Sequence, residues 1–256
     1  MIGVYLNAAD LRGNTQNIFE IVSGKKIKYR AKWLSKFFKS HFVDWSSLSE
    51  VDYEGTLKTG SLNQPKLIAD YWGSPFNYVA IDKYLKSPGW VTGNAIISRF
   101  PMKLIKRHIF GENKPFGRLK HTYKDFIHAN LKVGRRKLEN ITNHFNDGFL
   151  SVRMQEAKEL AEYVYNFYKE DPVSYIVAPG DYNSKHNSRP IRKILESGIL
   201  APPTKNFGIK TYRLHNPYSD IDHIFATRNM KFNYYETFDF PWSDHKGLIC
   251  ELEFKD

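Results

Sequence analysis

Five consecutive segments between residues 76 and 144 read as β-strand with no helix between them, and this run limits the fold more than any other feature. The segments are 76–81, 94–98, 102–110, 123–133 and 138–144, set apart by turn signals such as Ser87-Pro88-Gly89 and Val133-Gly134. A single doubly wound parallel sheet needs a helix after almost every strand, so this run argues against one. The flanks do carry helices. After an apolar first strand over 2–6 and a polar turn containing Gly13, residues 27–40 read as an amphipathic helix. Leu34, Phe37 and Phe38 share one face of it, and Lys28, Lys32 and Lys36 another. A short strand near 42–48 and a helix over 63–72, ending before Gly73, follow. Past the strand run, Ala157, Leu160, Ala161, Val164 and Tyr168 recur at helical spacing in 151–168, with Glu156, Glu159 and Glu162 on other faces. A buried strand over 175–178, a short helix over 189–196 and strands at 221–226, 231–238 and 247–254 complete the chain. The expected fold is α/β (α+β): a four-layer sandwich of two mixed β-sheets packed face to face with helices outside. No repeat or linker divides the chain, so residues 1–256 are expected to form a single domain.

Hydrophobic residues at 41% and aromatics at 15% supply a sizeable core and exclude a disordered chain. The 38 Lys and Arg against 27 Asp and Glu give a net charge of +11, which favours polyanionic partners. Nucleic acid, anionic lipid headgroups and phosphorylated metabolites all qualify. Cys250 is the one cysteine, so no intrachain disulfide forms, which fits a reducing compartment and a cytoplasmic location. It sits in the alternating run 248–254 and reads as strand packing, not a nucleophile. No stretch is apolar and long enough to span a bilayer. The first six residues lack the basic region and length of a signal peptide, while a leader ahead of residue 1 stays open. A monomer is expected.

Polar clusters lie at the ends of several expected strands: Glu50 with Asp52, Asn143-His144, Asp181 with Asn183, and Asp244-His245, with Asp222 a fifth. Hydrolysing a phosphoester needs such a set: oxygen ligands for a hard cation, a base for water, and donors for the transition-state charge. Singly, each is weak, since Asp-Xaa-Asn after a strand is more often a turn.

Order and flanking residues strengthen the signal. Asn7 closes the first strand in Val4-Tyr5-Leu6-Asn7, and Leu48-Ser49-Glu50-Val51-Asp52 follows. Then come Gly93-Asn94-Ala95-Ile96-Ile97-Ser98-Arg99, Asn143-His144-Phe145, Gly180-Asp181-Tyr182-Asn183, Ile221-Asp222-His223-Ile224-Phe225 and Ser243-Asp244-His245. In this order the segments resemble the motifs of the endonuclease/exonuclease/phosphatase superfamily over residues 2–254. That superfamily shares the two-sheet fold of pancreatic-type deoxyribonuclease. The resemblance implies a Mg²⁺- or Mn²⁺-dependent hydrolase with Glu50, Asn7 and Asp244 at the metal. It implies that Asp181 orients or deprotonates water and that Asn183 bonds a phosphate oxygen. His144 and His245 would stabilise developing charge, with Asp222 polarising an imidazole. Ser49 stands where the family has Gln, Ser46 and Ser47 where it is usually apolar, Asn143 and Phe145 flank His144, and Pro179 precedes Gly180. None of these departures removes a reacting group.

Other features carry two readings each. The Lys25–Lys39 stretch holds seven basic residues and no acid, with Tyr29, Trp33, Phe37 and Phe38 between them. It reads as a nucleic-acid or anionic-membrane surface, or, as the favoured alternative, as an outer helix with solvated lysines. Arg135-Arg136-Lys137 sits at a hairpin turn, where charge is commonplace. Asn94 either borders the substrate or serves its strand. His121, His128, His186 and His215 lack ligand-like spacing and receive no metal role. Charge inclines the reading to a phosphodiesterase acting on nucleic acid. The alternatives are a phospholipid or inositol-phosphate hydrolase of the same fold, and an inactive phosphate-binding module.

Overall fold

The computed structural model describes residues 1–11, 21–53, 56–73, 77–87, 90–111, 124–214 and 219–255. In chain order the elements are β1 (Ile2–Asn7), α1 (Gly24–Ser40), β2 (Trp45–Val51), α2 (Gln64–Trp72), β3 (Asn77–Ser87) and β4 (Trp90–Ser98). They continue with β5 (Met102–Ile109), β6 (Asp125–Val133), β7 (Arg136–His144), α3 (Leu150–Glu170), β8 (Tyr175–Asp181) and α4 (Arg189–Leu195). Strands β9 (Leu200–Ala201), β10 (Asp222–Thr227), β11 (Met230–Phe238) and β12 (Gly247–Phe254) close the chain. One sheet has the order β11-β12-β1-β2-β4-β3 and the other β5-β6-β7-β8-β10-β9. Each is mixed in the same way. Its one parallel pair, β1 with β2 or β7 with β8, is bridged by a helix, and its other neighbours are antiparallel. The turns expected around Gly13 and Pro88-Gly89 lie outside the described residues, as do His121 and His215.

Three apolar layers hold the four structural ones together. Between the sheets, Tyr5, Trp45, Ile96 and Leu248 meet Ile127, Leu138, Val177 and Ile224. Helices α1 and α2 set Ile27, Leu34, Phe38 and Ile68 on Val4, Leu6, Leu48 and Ile97. Helices α3 and α4 set Leu160, Val164 and Ile191 on Phe126, Ile141 and Phe225. Each such side chain taken from water contributes about 1.5–3 kcal/mol. Helix α1 begins at Gly24, three residues before the apolar periodicity, because the Ser23 side chain accepts from Lys26 N and caps it. Its lysines are exposed, while Trp33 and Phe37 pack against Phe240, Trp242 and Phe238. The stretch is therefore an outer helix with solvated lysines.

Strand β2 corrects the expectation of 42–48: it runs three residues further and takes in Glu50. Its end was concealed by Ser49 and Glu50, whose polarity reads as a turn. Ser47 Oγ lies 2.7 Å from Thr142 Oγ1 and accepts from Asn140 Nδ2 at 3.1 Å, across from sheet to sheet. Beside it, Tyr5 OH donates to Ser49 Oγ (2.9 Å), Ser49 to Asn94 Oδ1 (2.7 Å), and Asn94 Nδ2 to Asp125 Oδ1 (2.6 Å). The layer between the sheets is thus apolar over most of its area and becomes a hydrogen-bonded seam toward one end. No helix among the described residues is long and apolar enough to cross a membrane.

Close approach dictates one residue of the first strand. Gly3 lies beside Trp45 in the parallel pair, and a Cβ there would stand 2.0 Å from the buried indole. Gly3→Ala should therefore destabilise the protein by about 1–3 kcal/mol, as overpacking does. Gly134→Ala is the comparison, since it meets nothing within 4 Å but has φ 60°. Thermal unfolding followed by circular dichroism tests this: an unchanged midpoint for Gly3→Ala would show that the ring moves aside at little cost.

Candidate active site

A parallel strand pair places the carboxyl ends of both strands at one edge of its sheet. Asn7 ends β1 and Glu50 lies one residue before the end of β2, while His144 ends β7 and Asp181 ends β8. The antiparallel neighbours bring the starts of β10 and β12 to the same edge, with Asp222 opposite Asp181 and Asp244-His245 just ahead of β12. The structure thus brings together all seven of these sequence-derived candidates, with Asn183 two residues past Asp181.

Glu50 is presented by a bulge. Leu48 pairs with Ala95 and Val51 with Gly93, so Ser49 and Glu50 together face Asn94, and Glu50 takes φ 51°. The half-buried carboxylate comes within 3.9 Å of His144 Nε2. Asp181 is buried at the centre. Its Oδ2 accepts from Asn7 Nδ2 (3.1 Å) and lies 3.5 Å from His144 Nε2 and 3.8 Å from His245 Nε2. Its Oδ1 accepts from Asn183 N at 2.8 Å. Burial, and then the charge of Asp222, raise the Asp181 carboxyl to about 7, against the pull of His245 and Lys124.

The two histidines are held in opposite states. Burial would lower His245, but the Asp222 charge, the hydrogen bond from Nδ1 to Asp222 Oδ2 (2.8 Å), Asp181 and Asp244 together push it up to about 10. It is an imidazolium at neutral pH. Lys124 Nζ lies 2.6 Å from His144 Nε2 and donates to it, and burial, Lys124 and His245 together lower the His144 imidazole well below its ordinary value. His144 therefore acts here as an acceptor that steadies Lys124, and the cation at this position is the lysine.

Several expected members have settled roles. Asn183, at φ 46°, donates from Nδ2 to Phe145 O (2.8 Å) and is only partly buried. Asn94 is fully buried, with its amide engaged by Ser49 and Asp125, so it adjoins the site through Asp125 and does not face solvent. Asp52, grouped with Glu50 in the sequence, is also buried. It accepts from Thr56 N (2.9 Å) and from the hydroxyls of Thr56 and Thr59, and so folds the loop after β2. Asn143 fills the space above Gly180, where a Cβ would lie 2.5 Å from its side chain.

A divalent cation fits best on one edge of this set. The carboxylates of Glu50 and Asp244, both partly buried, accept no hydrogen bond among the described residues. Asn7 Oδ1 accepts only from Ala9 N among the described residues. These are hard oxygen donors with open lone pairs. Asp181, Asp222 and His245 also bring one donor atom each within 4.8 Å of one another. That group is largely satisfied internally, although Asp222 Oδ1 is buried without a partner among the described residues.

A sequence model of the Endonuclease/Exonuclease/phosphatase family matches residues 30–245. The chain belongs to that family. Its members are phosphoester hydrolases, generally dependent on divalent metal, and this chain is an enzyme of that class. Solved structures share the fold at low identity. An endonuclease/exonuclease/phosphatase from Beutenbergia cavernae superposes with TM-score 0.73 and 17% identity, over 100% of this chain and 72% of that one. The mannosyl-6-phosphatase Bt3783 of Bacteroides thetaiotaomicron gives 0.67 and 16%, over 99% and 100%. The human Nocturnin catalytic domain gives 0.68 and 13%, over 100% and 94%. A search of curated proteins gives no match.

Within the family frame, three contributors, Lys124, Tyr212 and Glu156, had no role expected of them, and Ser243 was expected only as part of the Ser-Asp-His motif. Lys124 carried no signal among 38 basic residues. Ser243 donates to Asn7 O (2.7 Å) and accepts from His245 N (3.0 Å), tying the Ser-Asp-His loop to β1. Tyr212 sets its ring 4.9 Å from that of His245. Its hydroxyl is raised by burial and then by the negative charges of Asp244, Asp181, Glu50 and Asp147. Glu156, expected on a face of α3 other than the apolar one, is fully buried. It follows Val152 and precedes Leu160 by four residues each, on the inward face, and its carboxylate accepts from Lys124 N (3.2 Å) and Asn146 N (2.8 Å). It anchors the backbone on both sides of the site.

Burial raises the Glu156 carboxyl to about 7, against those two N–H groups and the charges of Lys124 and Arg153. Because the folded value exceeds the unfolded one, its stabilising contribution is complete below about 4.5 and is lost as pH rises through about 7. The stability of wild type relative to Glu156→Gln should accordingly fall by up to about 3 kcal/mol between pH 5 and pH 8. Urea denaturation of both proteins at the two pH values measures the difference, and a constant gap would refute the assignment.

Proposed function

We propose that the enzyme hydrolyses a phosphodiester in nucleic acid by in-line attack of water on phosphorus. The observation carrying this reading is the Asp181 carboxyl, buried between Asn7, His144 and His245 and raised to about 7. A base so tuned takes a proton from water near neutrality. Asp181 receives that proton as the water oxygen bonds to phosphorus. The ester oxygen on the opposite side departs and takes a proton from solvent, leaving a phosphomonoester and an alcohol. His245, kept cationic by Asp222, donates from Nε2 to a nonbridging oxygen, and Lys124 and Asn183 serve the same charge from the other side. Mg²⁺ or Mn²⁺ held by Glu50, Asn7 and Asp244 would supply Lewis-acid stabilisation of that charge.

The preference for nucleic acid rests on the +11 net charge, since capture of a phosphate backbone is mainly electrostatic. A phospholipid or inositol phosphate is the rival substrate class, and the same field would serve it.

The enzyme should release acid-soluble nucleotides from DNA or RNA in Mg²⁺, with activity abolished by EDTA. Asp181→Ala and His245→Ala should each lower kcat by roughly 100-fold or more. Turnover of lipid or inositol phosphates alone would overturn the nucleic-acid reading, and binding without turnover of any phosphoester would overturn hydrolysis. In addition, Glu50→Ala should raise the Mg²⁺ concentration for half-maximal activity by about tenfold or more, as loss of one charged ligand implies. An unchanged Mg²⁺ titration would move the metal to the Asp181, Asp222 and His245 group.

A further inference from the structure

A second histidine–aspartate pair stands on the rim of the site, and the reaction above leaves it unused. Asp220, two residues ahead of Asp222, is 1% exposed. Its Oδ2 accepts from His186 N (2.8 Å) and lies 2.6 Å from His186 Nδ1, while Lys210 Nζ reaches its Oδ1 at 3.3 Å. With donors on both oxygens, Asp220 is an acceptor, so His186 Nδ1 carries the proton and Nε2 points away from it. Nε2 has no hydrogen bond among the described residues, and the His186 side chain is 39% exposed. The ring has a built seat: Phe207 packs against it edge-on at 5.5 Å, and a Cβ on Gly208, at φ 87°, would lie 2.7 Å from Nδ1.

Position gives this pair its meaning. Strands β8 and β10 are neighbours, with Asp181 opposite Asp222, so the segments carrying His186 and Asp220 leave from the rim that holds the reacting groups. At most about 7 Å of chain separates Asp220 from Asp222, two residues apart. That displacement is comparable with the spacing of successive phosphates in an extended strand. A clamp on the loop would need neither an open Nε2 nor an exposed lysine on the far carboxylate oxygen.

We propose that His186 Nε2 and Lys210 Nζ, both held by Asp220, form a subsite for the phosphate next to the scissile one. This inference rests on the phosphodiester reading above. It makes the enzyme selective for a strand carrying a further phosphate over an isolated diester. Lys210 Nζ donates to the flanking phosphate, and His186 Nε2 does so when the ring carries a proton on both nitrogens, with Nδ1–H held by Asp220; together they set the register of the strand over Asp181.

Three dinucleotides test it: one with a 5′-phosphate, one with a 3′-phosphate and one with neither, each assayed with wild type, His186→Gln and Lys210→Met. Wild type should prefer one of the phosphorylated forms. That preference should fall by about tenfold in each variant through KM, as loss of one charge-assisted contact implies. Lys210 is exposed, so its variant carries the test even if His186→Gln fails to fold. Equal hydrolysis of all three by wild type would overturn the subsite, as would equal losses on all three in Lys210→Met. Turnover of none would instead overturn the diesterase reading on which the subsite depends.

Discussion

Parallel strands cannot be joined by a tight turn, and the site follows from that restriction. Each sheet contains one parallel pair, and each pair needs a crossover that leaves from the carboxyl end of its first strand. The crossovers through α1 and α3 cover the outer faces, so the inner faces must pack on each other. Carboxyl ends of four strands then converge on one edge, carrying Asn7, Glu50, His144 and Asp181. Strand ends are where backbone groups leave the ladder, so polar side chains cost least there. Fold and chemistry share a cause.

Charge is the second constraint. Asp181, Asp222, His144 and His245 are all buried, and isolated charges so placed would be strongly disfavoured. The cluster survives because its members are assigned different states. His245 stays cationic between two carboxylates, and His144 stays neutral under Lys124. Asp181 is thereby left as the group whose proton is most readily exchanged near neutrality. A static arrangement of hydrogen bonds sets the division of labour before any substrate arrives.

How much of this could be read from residues alone depended on whether a residue's neighbours in sequence were also its partners in space. The strand run of 76–144 announced two sheets, and the seven ordered motifs picked out residues that the fold gathers at one edge, because each motif is local. Boundaries failed where polarity imitated a loop, as at Ser49 and Glu50 of β2. Glu156 was misplaced because a carboxylate on an inward helical position is sensible only once Lys124 N and Asn146 N are known to meet it. Asp52 was overvalued for the converse reason: its partners, Thr56 and Thr59, make it a loop support. Lys124 and Tyr212 had no local signature, since each acquires its role from a histidine distant in the chain.

The serine and asparagine seam between the sheets acts as a key. Apolar burial is non-directional, so it favours the face-to-face packing of the sheets more than one lateral alignment of polar partners. Ser47, Asn140 and Thr142 do favour one alignment, since a lateral shift would break buried hydrogen bonds with nothing to replace them. Asn7 and Glu50 belong to one sheet and His144 and Asp181 to the other, so the alignment of the two sheets is also the alignment of the two halves of this cluster. The seam indexes the two halves of the candidate site against each other, and interatomic distances there inherit their tolerance from buried hydroxyls and amides outside the cluster.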